Sequence, residues 1–575
     1  MGCQLSAENV CPTMVSDGMA HFRYADLPMG EFWLNSPTHD KINDMLDAIS
    51  GAHVYGKRII QAEGCTELRG VFDEDPAMVK PLIDRNFCLG INRLFYHVYC
   101  LNPNPLLRPG MTLDGIGFFF QKGNTWFDEA SELTKYVTRC QYLLQMGRPV
   151  VDIAVYTGSE MPRRAFQPDR LVPMLPGIFG PERVASEKER LANVGVPVVE
   201  RPVGVKFVKN TLIPEDWINP LHGYQYDSFN EDALVRCKSD NGQFFVDADE
   251  DASPRYRLLV LPTAHLMDPD GLPLSDSVQI KIDEFQNQGV KVISSKDFPW
   301  SEPTFEALGI NRDVNYLPEG IAYCHRTSSF AEIYFLSNQM NELAVIRPEF
   351  RDSKGRTPEL WNPLDGTIRL MGEEIVLQPY ASIFVVFPTS PTSYNLLSPA
   401  YVYEKNPVKL ACIDSKWSLH FLDTNVELES DTLPDWSKSE DPFVRYYSGH
   451  VSYSTSFDLD SLLIANHIVA DSIYSNTNNL YLVLNDIKNL ATVTLNGKDC
   501  GIAWTAPYEV NISDAIQSSV NHLVLEVVNT WSNAIQGHDE GIDPFPNIWT
   551  NARYRKKSSE LLPAGLFGPV EIVRK

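Results

Sequence analysis

Two glutamates near the start of the 575-residue chain stand where carboxylates do chemistry. Glu31 lies in Leu27-Pro28-Met29-Gly30-Glu31-Phe32-Trp33, and Glu63 in Arg58-Ile59-Ile60-Gln61-Ala62-Glu63-Gly64. A glutamate after a buried apolar strand loses hydration unless it is paired or used. Taken singly, each also reads as a helix cap or a solvated surface carboxylate. Taken together on one face, they offer the two carboxylates that acetal hydrolysis requires, or the start of a metal site. Asp26 and Glu67 lie close by in sequence and read as supporting or simply solvated groups.

Holding these glutamates side by side requires parallel neighbours. Between them, Ser36-Pro37-Thr38-His39-Asp40 has the pattern of a helix start, and Ile42, Met45, Leu46 and Ile49 recur at helical spacing. A strand–helix–strand order implies a parallel pair with a crossover. Both glutamates then sit at the carboxyl ends of adjacent strands, the face where α/β barrels place their chemistry. A helix over Pro76–Ile83, a strand over Arg93–Tyr99, an apolar segment through Gly115–Phe120 and a helix over Lys135–Leu144 follow. Residues 1–147 are thus expected to supply three or four strands, the C-terminal half of a (β/α)8 catalytic barrel. His97, inside Phe95-Tyr96-His97-Val98-Tyr99, reads equally as a satisfied core histidine or a substrate contact. Trp33 and Trp126 offer faces that stack on sugar rings, and equally suit plain core. Asp227 reads first as a turn residue.

Farther along, Val150–Tyr156, Tyr256–Pro262 and Gly289–Ile293 are strands apolar on both faces, with a helix around Ile280–Gln288. They predict a small doubly wound, flavodoxin-like α/β domain over 148–315. No GxGxxG follows a strand there, so a nucleotide site is not indicated. Short strands divided by turns, such as Phe330–Phe335 and Ser382–Phe387, predict a small all-β domain over 316–400. Asn479–Leu484 and the alternating Ala491–Gly497 predict a β-sandwich over 401–575. Within it, Val528–Asn533 and Gly537-His538-Asp539 read as loop caps before carbohydrate or calcium contacts.

Bulk properties narrow the function class. The chain carries 49 Lys and Arg against 74 Asp and Glu, a net charge of −25, and no basic run. That excludes a nucleic-acid partner and suits a neutral substrate, with carboxylates to spare for a divalent cation. No apolar run approaches the ~20 residues needed to span a bilayer. The segment Met1–Glu8 lacks the basic and apolar parts of a secretory signal, and Met1-Gly2-Cys3 is a weak lipidation pattern. Ten scattered cysteines without a CxxC pair signal neither a zinc site nor a dense disulfide framework, and read mostly as buried thiols.

The segments Leu27–Trp33, Ala62-Glu63-Gly64 and Asn92-Arg93-Leu94-Phe95-Tyr96-His97 together resemble glycoside hydrolase family 106, the α-L-rhamnosidases. Pro109-Gly110-Met111-Thr112, Gln121–Trp126 and Arg139–Gln145 extend the resemblance. Leu495-Asn496-Gly497 through Val528-Asn529-Thr530-Trp531 resembles the galactose-binding-like β-sandwich that accompanies such barrels. The resemblance implies hydrolysis of terminal α-L-rhamnose in plant glycans with inversion, using carboxylates and calcium at the barrel mouth. On this sequence it implies Glu63 as the base that activates water and Glu31 as a sugar or calcium contact. His97, Trp33 and Trp126 stand beside them as the candidate substrate contacts, and the resemblance makes a rhamnose-containing oligosaccharide the partner. It places a further catalytic glutamate and the first barrel strands upstream. The chain is therefore expected to be an N-terminally truncated product, or one part of an enzyme completed by a separately encoded upstream half. A periplasmic or extracellular location is likewise implied by resemblance. The competing expectation is a non-catalytic carbohydrate-binding or structural fragment whose working part is the sandwich.

Overall fold

The computed structural model describes residues 2–9, 17–34, 42–67, 70–158, 223–246, 252–261, 273–294, 302–390, 407–468, 480–542, 545, 547–552 and 560–575. The helix-start pattern at 36–40 and Cys11 lie outside them. By contact the chain divides into two compact units. The first comprises Met1–Thr66, Pro81–Tyr96 and Tyr136–Pro399; the second comprises Glu67–Lys80, His97–Lys135 and Ala400–Lys575.

In the first unit, Ser6–Glu8 (β1), Leu27–Trp33 (β2), Gln61–Thr66 (β3) and Arg93–Tyr96 (β4) form a sheet in that order, every pair parallel. Ile42–Val54 (α1) crosses from β2 to β3, and Pro76–Leu89 (α2) from β3 to β4. Small residues at the helix-facing side of the strands allow this packing. A Cβ on Gly30 would stand 2.5 Å from the Asp44 carbonyl oxygen of α1, and one on Gly64 would stand 2.5 Å from the Phe32 ring. Only glycine lets β2 lie this close to the helix backbone. The chain is thus a mixed α/β protein with parallel strands where the sequence places them. The sheet is open, however, and no barrel closes among the described residues. Among the described residues no further strand joins the β1 or β4 edge.

On its other side α1 meets a second parallel sheet. This sheet consists of Ile153–Tyr156 (β5), Tyr226–Phe229 (β6), Leu258–Leu261 (β7) and Lys291–Ser294 (β8), in the order β8-β7-β5-β6. Asp227 is not a turn residue. It lies in β6, 1% exposed, and accepts hydrogen bonds from His53 Nδ1 (2.8 Å), Ser50 Oγ (3.1 Å) and Tyr256 Oη (2.8 Å). A buried carboxylate with three donors is a clamp between helix and sheet. The unit is completed by an antiparallel sheet of six strands ordered Ile368–Leu370, Glu359–Trp361, Ser382–Pro388, Ala331–Asn338, Ile321–Thr327 and Arg148–Pro149.

The second unit contains two antiparallel sheets of four and six strands that share one apolar core. Strand His450–Asp458 alternates buried and less buried residues, as a strand with one face inward must. Leu480, Leu482 and Ile572 of one sheet meet Trp417, Leu419 and Val451 of the other in that core. The nine described cysteines are all free, and five of them are buried. Among the described residues no helix is long and apolar enough to cross a membrane.

Candidate functional site

Strand register brings three carboxylates together. Glu31 of β2 is paired with Glu63 of β3, and Glu8 of β1 is paired with Met29, two residues before Glu31. Paired residues of parallel strands face the same way and the side-chain period is 2, so all three glutamates project from one face. Their carboxylate oxygens approach within 4.8 Å of one another. Opposite that face, Gly30 and Gly64 take up the close helix and ring contacts, so the backbone register fixes which way the glutamates point. Just past Glu63 the register slips, with Glu31 opposite Glu63 but Trp33 opposite Thr66. Cys65 sits inside this bulge at φ 69°. Bulges of this kind re-aim side chains beside functional sites.

The cluster is held partly out of water. Glu31 is 6% exposed, while Glu8 and Glu63 are half-buried. Burial first, then the charges of Glu63 and Glu31, push the Glu8 carboxyl up to about 7. Three carboxylates this close share a proton or a cation. Two oxygens each about 2.4 Å from one cation lie no more than about 4.8 Å apart, so these three oxygens are close enough to share a hard cation. The same spacing is shorter than the roughly 6.5–9.5 Å between acid and base carboxyls that inversion needs. Glu31 and Glu63 therefore suit adjacent roles on one side of a substrate better than the two ends of an acid–base pair.

Of the aromatic candidates, Trp33 lies on the glutamate face two residues beyond Glu31 and is half-buried. In register with Glu63 on β4 is Phe95, 46% exposed, which sequence reasoning passed over in favour of His97. His97 follows β4 and belongs to the second unit, as does Trp126. Trp126 is 1% exposed, stacked on Phe118, and donates its indole N–H to the Glu74 carbonyl at 2.8 Å. It is core in this unit, with no face open for a sugar. Asp26 accepts the Leu5 backbone N–H (2.8 Å) and steadies the approach to β1. Glu67 is buried in the second unit. The residue that sequence reasoning missed is Glu8. Its strand is three residues long, too short to show a period in the sequence.

Two further carboxylate–histidine clusters are ion-pair networks. His450 gives Nδ1 to Glu526 (2.6 Å) and Nε2 to the Thr125 carbonyl (2.9 Å), with Glu129 at 3.7 Å. Burial pulls its pKa down, but the Glu526 hydrogen bond and the Glu129 charge outweigh burial and leave it raised. His325 gives Nδ1 to Asp313 (3.0 Å) and Nε2 to Glu332 (3.3 Å). With both nitrogens engaged, neither imidazole has a lone pair for a metal.

A family model described as alpha-L-rhamnosidase matches residues 1–186 and 297–374, and one described as a glycosyl hydrolase 2 galactose-binding domain-like module matches residues 429–561. The solved structure of a rhamnosidase from Novosphingobium sp. PP1Y superposes on all of this chain with a TM-score of 0.73 and 26% identity, using 53% of that protein. A protein of Formosa agariphila provisionally named a beta-glucuronidase is 28% identical over 438 residues, which are 68% of this chain and 32% of the relative. The chain thus spans between a third and about half of the length of these relatives. The family match over residues 1–186 and 297–374 and the structural match along the whole chain make this chain similar to the α-L-rhamnosidases of glycoside hydrolase family 106.

Proposed function

We propose that the chain provides the base side of an inverting α-L-rhamnoside hydrolase site, acting on terminal rhamnose of plant glycans. The observation that carries this reading is the in-register pair Glu31 and Glu63, with the Glu8 carboxylate in reach, inside the region that matches the α-L-rhamnosidase family model. Glu63, half-buried within β3 rather than at the strand end that the sequence suggested, accepts a proton from the attacking water. Glu31, almost wholly buried, holds a sugar hydroxyl or a cation. Glu8 and Glu31 are the residues that would hold calcium, which when bound supplies fixed positive charge beside the reacting sugar. Phe95 and Trp33 offer apolar surface to the sugar ring from the same sheet face. The general acid is a group outside the trio, because oxygens within 4.8 Å leave no room for water between acid and base. The open parallel sheet is read here as one arc of a (β/α)8 barrel.

The test is hydrolysis of an aryl α-L-rhamnoside by the chain, with the anomer first formed read by NMR. Hydrolysis with inversion that is lost in Glu63→Gln supports the assignment. Retention of configuration, or turnover that survives the substitution, refutes it.

A further inference from the structure

In the first unit, a cavity of about 430 Å³ lies among the loops around β5, β7 and the six-stranded sheet, and none of its lining residues belongs to β1–β4. Its size falls within the roughly 300–1,000 Å³ of small-molecule sites. Five cationic side chains line it, Arg148, Arg255, Arg257, Arg351 and Lys354, against three carboxylates. The whole chain has the opposite balance, 49 to 74. We propose that this cavity binds a uronate, a sugar bearing a carboxylate group.

The cations divide into two kinds. Arg351 is fixed by Asp152 (2.5 Å) and Asp313 (3.5 Å), and Lys354 is paired with Glu332. These pairs build the wall. Arg255 is different: its guanidinium lies 4.4 Å over the Phe245 ring, and it makes no ion pair among the described residues. Arg257 reaches Asp152 only at 3.7 Å and gives one N–H to the Gly309 carbonyl. A guanidinium fork of this kind matches a carboxylate in two parallel hydrogen bonds. The wall carboxylates oppose a compact, multiply charged anion such as phosphate, while accepting hydrogen bonds from hydroxyl groups. Gln243 and Thr327 add neutral partners. A ligand that is anionic at one end and rich in hydroxyls elsewhere satisfies both halves of the lining.

The test uses the full chain and does not depend on hydrolase activity. Calorimetric titration compares D-galacturonate, D-galactose and inorganic phosphate at low salt. Galacturonate saturates with a Kd of about 1 mM, galactose does not, and phosphate at equal concentration fails to displace galacturonate. Arg255→Gln weakens galacturonate binding at least tenfold with an unchanged thermal midpoint. Arg255→Lys, which keeps the charge without the fork, gives an intermediate loss and decides the matter if the glutamine variant is destabilised. Absence of saturation, equal binding of galactose, displacement by phosphate, or affinity unchanged in both variants overturns the proposal.

Discussion

Raising the pH from 6.5 to 9 should loosen the first unit through one histidine. The His325 side chain is fully buried, stacked on Tyr334 at 3.8 Å, and donates from both nitrogens to carboxylates, Asp313 and Glu332. It is the fourth member of an alternating row, Asp152, Arg351, Asp313, His325, Glu332, Lys354. Burial lowers its pKa, but Asp313 and Glu332 outweigh burial and raise it to about 9 from 6.5. A group whose folded pKa lies above its unfolded value stabilises fully below the unfolded pKa, and loses that contribution as pH rises through the folded one. The window is therefore 6.5 to about 9, a difference of about 2.5 units, worth about 3 kcal/mol at 1.36 kcal/mol per unit. Urea unfolding across this range, followed by deuterium exchange in strands Ile321–Thr327 and Ala331–Asn338, measures the loss locally. In His325→Gln the slope should flatten, so the stability difference between wild type and variant shrinks by about 3 kcal/mol on going to pH 9. A difference constant within about 0.5 kcal/mol would refute a buried imidazolium.

On the acid side, burial pushes Glu332 up, but hydrogen bonds from His325 and Lys354 bring it down to about 2, so its contribution is present above 4.5 and lost as pH falls towards 2; acid titration of the same strands reads this. Glu63→Gln should cut rhamnoside turnover about 10²–10⁴-fold with the fold intact by circular dichroism. Calcium affinity, read by calorimetry, should fall as pH drops below about 7, because protonation of Glu8 competes with the cation; pH-independent binding would remove Glu8 from the ligand set. Gly30→Ala places a methyl 2.5 Å from the Asp44 carbonyl and should lower both the melting temperature and turnover by displacing β2. Trp126→Phe removes the indole hydrogen bond to the Glu74 carbonyl, costing about 0.5–1.5 kcal/mol by urea unfolding while leaving sugar affinity unchanged.

Why Glu31 and Glu63 were legible and Glu8 was not follows from how each strand announces itself. β2 is largely apolar, β3 follows the apolar pair Ile59-Ile60, and each glutamate adjoins a glycine. β1 is three residues of Ser-Ala-Glu, too short for any period, and becomes a strand only because β2 offers it an edge. The same limit hid the His325 row, whose members come from six positions between 152 and 354 and meet only after the sheets have formed. Trp126 shows the reverse case. Its type suited a sugar platform, and only burial against Phe118 and the Glu74 carbonyl assigns it to the core. Barrel closure was equally out of reach, since strand–helix alternation predicts parallel pairing but not how many strands a sheet recruits.

The first unit thus holds two polar sites of opposite sign, built by different means. At the sheet end, backbone register forces three carboxylates together, and the cost of that crowding is met by a proton on Glu8 or by a cation. In the cavity, carboxylates already paired with Arg351 and Lys354 leave Arg255 without an ion pair among the described residues. A cation titrated into the protein should therefore act at the trio, and a carboxylate-bearing sugar at the cavity, with little competition between them. If a uronate instead displaced calcium from the chain, the two sites would have to share a ligand, and the separation drawn from their linings would fail.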